Sequence, residues 1–167
     1  TGTQALTRCL ERRHKVKVVV QINQFCRDAV PNAACTRPYA LGNIRNMISD
    51  YEDTHGMEQG KDYEIVAIVH SGGGWQVLTN EGYNGSGIWV TGRNQFEATV
   101  RGLMDDGVKF YFCQNTTRGF IGNNTLPTVD ETPGGATAEL IEGVEYTTAG
   151  VTAIADLQSR GYTYVQP

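Results

Sequence analysis

The sequence predicts an α/β domain built on a mainly parallel sheet with helices on both faces. Three observations lead there. Short β-branched or aromatic runs recur at 16–22, 63–69 and 108–113. Stretches with apolar residues three and four positions apart separate them, the spacing of amphipathic helices. The runs at 16–22 and 63–69 are apolar at nearly every position, which marks strands covered on both faces. Strands that alternate with helices pack as a parallel sheet between helical layers.

Taken in order, residues 3–14 set Leu6 and Leu10 among charged groups and predict a short amphipathic helix. Val16-Lys17-Val18-Val19-Val20-Gln21-Ile22 is the first strand. Residues 23–38 carry Asn, Asp, Pro and two cysteines and read as a loop that Pro38 closes. Leu41, Ile44, Met47, Ile48 and Tyr51 define a helix within 40–54. Residues 63–69 form the second strand, which runs into His70-Ser71-Gly72-Gly73-Gly74. Trp75 to Leu78 is a candidate helix start, and the Gly- and Asn-rich stretch to about Asn94 has no period. Phe96, Val100, Leu103 and Met104 predict a helix over 95–106 that Gly107 stops. Residues 108–113 form the third strand. Residues 114–143 read as irregular, with Pro127, Pro133 and four glycines before Ile141; so long a loop in a compact domain is usually functional or mobile. A short strand at 144–147, a helix over 149–160 with Thr148 as its candidate cap, a stop at Gly161 and a strand at 162–165 complete the pattern. There is no internal repeat.

Composition narrows the function classes. The 167 residues are 40% hydrophobic and 19% charged, enough apolar material for one sizeable core. A net charge of -4 argues against a nucleic-acid partner, and the basic cluster Arg12-Arg13-His14-Lys15 is too short to reverse that. No apolar run approaches the ~20 residues of a membrane span. The chain lacks CxxC, CxxCH and HExxH patterns, which removes zinc-ribbon, c-type haem and zincin readings. It opens on Thr1 rather than a methionine. A removed leader would make it extracytoplasmic, either periplasmic or secreted. Cys26 and Cys35, nine positions apart in turn-rich sequence, are a candidate disulfide. Three glycosylation triplets stand at Asn84, Asn115 and Asn123.

In open parallel sheets, ligands bind beyond the carboxyl ends of the strands. Three segments fall there: Asn23-Gln24 with Cys26, His70 to Gly74, and Cys113-Gln114-Asn115-Thr116. Cys113 is the candidate nucleophile, since an accessible thiol near positive charge is reactive. His70 is its candidate proton or charge partner. The amides of Gly72, Gly73 and Gly74 are a candidate anion cradle. Asn115 and Thr116 are candidate hydrogen-bond donors to a sulfur-bound group. Plainer readings stand beside each of these. A cysteine after an aromatic strand is often a small buried hydrophobe, and a strand-end histidine is often structural. Three glycines make a turn, and Trp75 and Trp89 read as packing residues. Cys113 and His70 alone are too few to hold a metal, and no organic cofactor is required.

Several separated pieces resemble the DsrE/DsrF-like family of small sulfur-handling proteins. Residues 16–22 followed by Ala40-Leu41-Gly42-Asn43-Ile44-Arg45-Asn46-Met47 are similar to the family's first strand and its Leu-x-Asn-x-x-Asn helix. Ile65 to His70 resembles the second strand. The most specific piece is Gly107-Val108-Lys109-Phe110-Tyr111-Phe112-Cys113-Gln114-Asn115-Thr116, which resembles Gly-Val-x-Phe-x-x-Cys-x-Asn-Thr. The tail from Ala149 to Pro167 is similar to the closing helix and strand. The resemblance implies a five-stranded, flavodoxin-like sheet, a trimer or hexamer, and a cysteine at 113 that carries sulfur as a persulfide. It thus implies a sulfurtransferase or sulfur carrier acting on small sulfur species. The segments near 23–38, 79–94 and 117–142 depart from the family as inserted loops, and relay members act in the cytoplasm. A rival reading is an extracytoplasmic structural or assembly subunit on the same fold, with the loops as contact surfaces.

Overall fold

The computed structural model describes residues 7–27, 35, 37–79, 94–122 and 140–167. Among the described residues there are five strands: Val16–Ile22 (β1), Tyr63–Val69 (β2), Lys109–Cys113 (β3), Glu145–Thr147 (β4) and Thr163–Val165 (β5). All pair in parallel, in the order β4-β3-β2-β1-β5. Four α-helices accompany them among the described residues: Leu41–Ser49 (α1), Glu97–Asp105 (α2), Gln114–Gly122 (α3) and Gly150–Ser159 (α4). This is a flavodoxin-like α/β architecture.

The topology follows from the direction of each step. The chain moves one strand at a time from β1 to β4, then returns across the sheet to place β5 beside β1. Right-handed crossovers that step one way lay their helices on one face, and a reversed step lays its helix on the other. The core divides accordingly. Val18, Val20 and Ile22 of β1, Ile65, Ala67 and Val69 of β2, and Phe110 and Phe112 of β3 cluster with Leu41, Ile44, Val100 and Leu103 on the first face. Val19, Val66 and Ile68 cluster with Ile154, Leu157 and Tyr162 on the second face, under α4. So β1 and β2 are apolar on both sides, as their unbroken apolar runs require.

Several boundaries differ from the sequence reading. Within the described residues, the segment 3–14 contains only a 3-10 turn, Arg8–Arg12. The helix expected over 40–54 is α1 followed by a π-turn at Asp50–Thr54. A 3-10 helix at Ser71–Val77 replaces the helix start at Trp75. The segment after Cys113 is not irregular throughout, since α3 begins at the next residue. Its sequence, QNTTRGFIG, holds two glycines and two threonines, which are weak helix formers. Tertiary packing overrides them: the Phe120 ring stacks on Trp75 at 4.1 Å, and Thr117 is fully buried. Thr148 does not cap the last helix; Ala149 takes that position, with no side-chain hydrogen bond. Trp89, the triplets at Asn84 and Asn123, and Pro127 and Pro133 lie outside the described residues.

Cys26 and Cys35 are joined in a disulfide. The segment leading into Cys26 is held to the core by Gln76, which is fully buried and donates to the carbonyls of Phe25 at 2.6 Å and Gln24 at 3.2 Å. Replacing both cysteines with alanine is expected to lower stability by about 2–3 kcal/mol, from the chain entropy of so short a loop. Urea denaturation of the variant against the oxidised protein measures this. No helix among the described residues is long and apolar enough to cross a membrane.

Candidate functional site

Strand alternation brings the site together. Along β1, β2 and β3 the residues on the second face end in Gln21, His70 and Cys113. The register pairs Gln21 with Ile68 and Val69 with Phe112, so His70 and Cys113 follow as neighbours at the carboxyl ends. Cys113 in turn pairs with Thr147 of β4. The connection from β3 runs over the first face, while that from β4 runs over the second. The cleft between them is the topological switch point, where open α/β sheets bind ligands.

A cavity of about 300 Å³ opens there, lined by His70, Ser71, Cys113, Asn115, Thr116 and the start of α4 at Ala149, Gly150 and Val151. Cys113 forms part of its wall and is only 6% exposed. The backbone N–H of Gly150 donates to Cys113 Sγ at 3.2 Å. The first turn of α4 therefore directs its partial positive charge at the sulfur. A second helix, α3, begins at the residue after Cys113, and Thr117 Oγ1 donates to the Cys113 carbonyl at 3.3 Å. Glycine at 150 eases this approach. A Cβ there would stand 3.3 Å from His70 Cβ and Cδ2 and 3.4 Å from Cys113 Cβ.

His70 is hydrogen-bonded on both ring nitrogens. Its Nε2 lies 2.6 Å from Gln21 Nε2 and its Nδ1 lies 3.0 Å from Ser71 Oγ. Burial holds its pKa below the ordinary histidine value. The unfolded chain therefore takes up a proton first as pH falls. The stability owed to neutral His70 is complete above about pH 6.5 and is lost as pH drops through the folded value. Thermal unfolding of wild type and His70→Gln across this range is expected to show the wild type losing stability faster on the acid side.

Ser71 has a φ of 51°, a left-handed conformation rare for a residue with a side chain. Its N–H donates to Thr116 Oγ1 at 2.9 Å, tying the β2 end to α3. Of the predicted site residues, His70, Cys113, Asn115 and Thr116 line one cavity. The glycines divide differently. Gly73 and Gly74 are buried, and Gly73 N–H is bonded to the His70 carbonyl at 3.0 Å. A Cβ at Gly73 would collide with the Ile22 carbonyl, and one at Gly74 would come within 2.6 Å of the Phe112 ring. Close packing is what requires glycine at these two positions, and none of the three glycines is among the residues that line the Cys113 cavity. Gly72 is half-buried and packs on Asn23 and Gln24.

Sequence reasoning missed Gln21, Ser71 and Gly150. Gln21 was readable as the one uncharged polar residue in an apolar strand, on the same alternating face as Val19. Gly150 was legible only as a residue near a helix start. A larger cavity, about 550 Å³, lies at the opposite end of β3 around Arg101, Asp105, Lys109, Glu142 and Glu145. It holds no cysteine or histidine and sits at the amino ends of the strands, the end that parallel sheets do not use for ligands. Among the described residues, no three His, Cys, Asp or Glu side chains gather to hold a metal ion.

Comparison with known proteins identifies the fold alone. No protein-family model and no curated protein matches the chain. A solved structure does: that of MTH1491, a protein of unknown function from Methanobacterium thermoautotrophicum, with a TM-score of 0.59 and 20% identity over 92% of this chain and 99% of that one. The chain is thus similar over nearly its whole length to a solved α/β fold.

Proposed function

We propose that the protein is a sulfur carrier in which Cys113 accepts a sulfane sulfur as a persulfide. The observation that carries the reading is the Gly150 N–H directed at Cys113 Sγ in a cavity at the switch point. The resemblance of residues 107–116 to the DsrE/DsrF-like segment supports it from sequence. Cys113 sulfur attacks the outer sulfur of a donor such as thiosulfate. The S–S bond of the donor breaks, sulfite leaves with the bonding electron pair and takes the thiol proton as hydrogensulfite, and Cys113 keeps the transferred sulfur as a persulfide anion. Nothing outside donor and thiol is oxidised or reduced. Asn115 and Thr116 border the space that the outer sulfur takes, and Gly150 N–H and the α4 start stabilise negative charge there.

The cysteines make a direct test. Cys9 is exposed and Cys113 buried, and both are free, while Cys26 and Cys35 are bridged. Incubation with thiosulfate or a persulfide donor, followed by intact mass measurement, is expected to add one sulfur atom to wild type and to Cys9→Ser. Cys113→Ser is expected to add none. Uptake that follows Cys9 instead, or that is absent from wild type, would sink the proposal.

The Cys26–Cys35 disulfide favours an oxidising, extracytoplasmic compartment. It also keeps a second reading in view, that of an assembly subunit on this fold with no chemistry at Cys113. The trimer or hexamer implied by the resemblance belongs to both readings, so mass in solution does not separate them; thiol reactivity does.

A further inference from the structure

A chain of polar side chains crosses the carboxyl end of the sheet on its second face. It runs from Tyr164 on β5 through Gln21 on β1 and His70 on β2 to Ser71. Tyr164 O–H faces two acceptors, Gln21 Oε1 and, at 2.9 Å, Gln166 Oε1, and its contact with Gln21 is the shorter. Gln21 Nε2 lies 2.6 Å from His70 Nε2, and His70 Nδ1 lies 3.0 Å from Ser71 Oγ. Once the Tyr164 proton is given to Gln21, the direction of each later bond follows from the one before. Gln21 Oε1 is taken up as an acceptor, so its amide presents N–H to the ring. An amide nitrogen only donates, so His70 Nε2 must be the unprotonated, accepting nitrogen. A neutral imidazole then carries its proton on Nδ1, which donates to Ser71 Oγ. The Ser71 O–H is left to donate elsewhere, and Ser71 borders the Cys113 cavity.

We propose that Tyr164, Gln21 and His70 are positioning residues that fix the His70 tautomer, and that the hydroxyl so aimed, Ser71 O–H, is the donor to the anionic sulfur group held on Cys113. This rests on the carrier reading and adds its ligand-binding residue. It also changes the part played by His70. The ring neither takes nor gives a proton in the transfer; it turns a serine. The left-handed backbone of Ser71, held by the bond from its N–H to Thr116 Oγ1, keeps the side chain at the cavity edge.

Two measurements on the full chain test this together. Long-range proton–nitrogen NMR of His70 at neutral pH is expected to report protonated Nδ1 and bare Nε2 in wild type. In Gln21→Glu, recorded at a pH alkaline enough to keep the ring neutral beside the carboxylate, the carboxylate accepts instead of donating, so the single ring proton is expected on Nε2. The rate of thiosulfate sulfur uptake at Cys113 is expected to fall about tenfold or more in Ser71→Ala, the effect of losing one donor to an anion. At that alkaline pH Gln21→Glu is expected to fall to a similar level, because Nδ1 then draws the Ser71 hydroxyl back. The double variant is expected to lose no more than either alone. A wild-type spectrum with protonated Nε2 reverses every bond in the chain and overturns the proposal. So does Ser71→Ala with wild-type uptake. Failure of the carrier reading itself is told apart because it is seen in wild type, as no sulfur on Cys113, and it removes the ligand assigned to Ser71.

Discussion

Replacing Gly73 with alanine is expected to lower stability by about 3 kcal/mol, the upper range for forcing atoms into a packed core. The methyl group has nowhere to go. It would overlap the carbonyl oxygen of Ile22 and stand 2.8 Å from the carbonyl carbon. These are backbone atoms of a central strand, paired on one side with β2 and on the other with β5. A flexible side chain could swing away, but a strand in the middle of a sheet cannot. Relief therefore has to come from the 71–77 turn, which must lift from the end of β1. That shift carries Ser71 away from Thr116, so a lower midpoint in urea is expected and, on the proposed carrier function, slower sulfur uptake at Cys113. Gly72→Ala is the control: its methyl group would meet only ordinary contacts of 3.5 Å or more. A change in midpoint at Gly73 no larger than at Gly72 would remove the packing account.

Phe112→Ala is expected to cost about 3–5 kcal/mol, in the range for deleting a buried aromatic ring. Phe112 is wholly buried on the first face, beside Phe120 at 6.3 Å and Tyr146 at 6.2 Å between ring centroids. It packs also against Gly74. Four elements thus share one ring: β3, β4, α3 and the 71–77 turn. A cavity there loosens the support of all four, with Cys113 the next residue along the strand. Differential scanning calorimetry is the measurement, with Phe112→Leu as the milder partner. Leucine fills much of the space and is expected to recover over half of the loss.

The fold was legible in the sequence where burial and period agree. β1 and β2 are apolar on both faces, and that uniform pattern identified them as inner parallel strands. α1 and α2 follow three-and-four spacing and stand within the predicted ranges. α3 was not legible, because glycine and threonine disfavour helix and its stability comes from Trp75, some 45 positions earlier. The site was legible in part. Strand ends located His70, Cys113, Asn115 and Thr116, because a parallel sheet collects its strand ends on one edge. Gln21 and Ser71 were hidden for different reasons. Gln21 matters only through its neighbours across the sheet, and strand order is not written in any local pattern. Ser71 matters through a backbone angle that its residue type does not announce. The three glycines looked like a loop that cradles anions, yet two of them are small because a carbonyl and an aromatic ring lie against them.

The return of the chain from β4 to β5 bears on how the protein is made. Tyr164 and Gln21 are 143 positions apart, and their hydrogen bond forms only when β5 docks beside β1. Contacts of such long range close slowly, since the intervening chain must first be ordered. During synthesis β1 to β4 emerge and can pair while the side of β1 that receives β5 is still open. Through that interval Gln21 has no tyrosine to hold its amide, and His70 is free to take either tautomer. The proposed centre at Cys113 would thus be completed only after the sheet around it, on arrival of a strand three residues long.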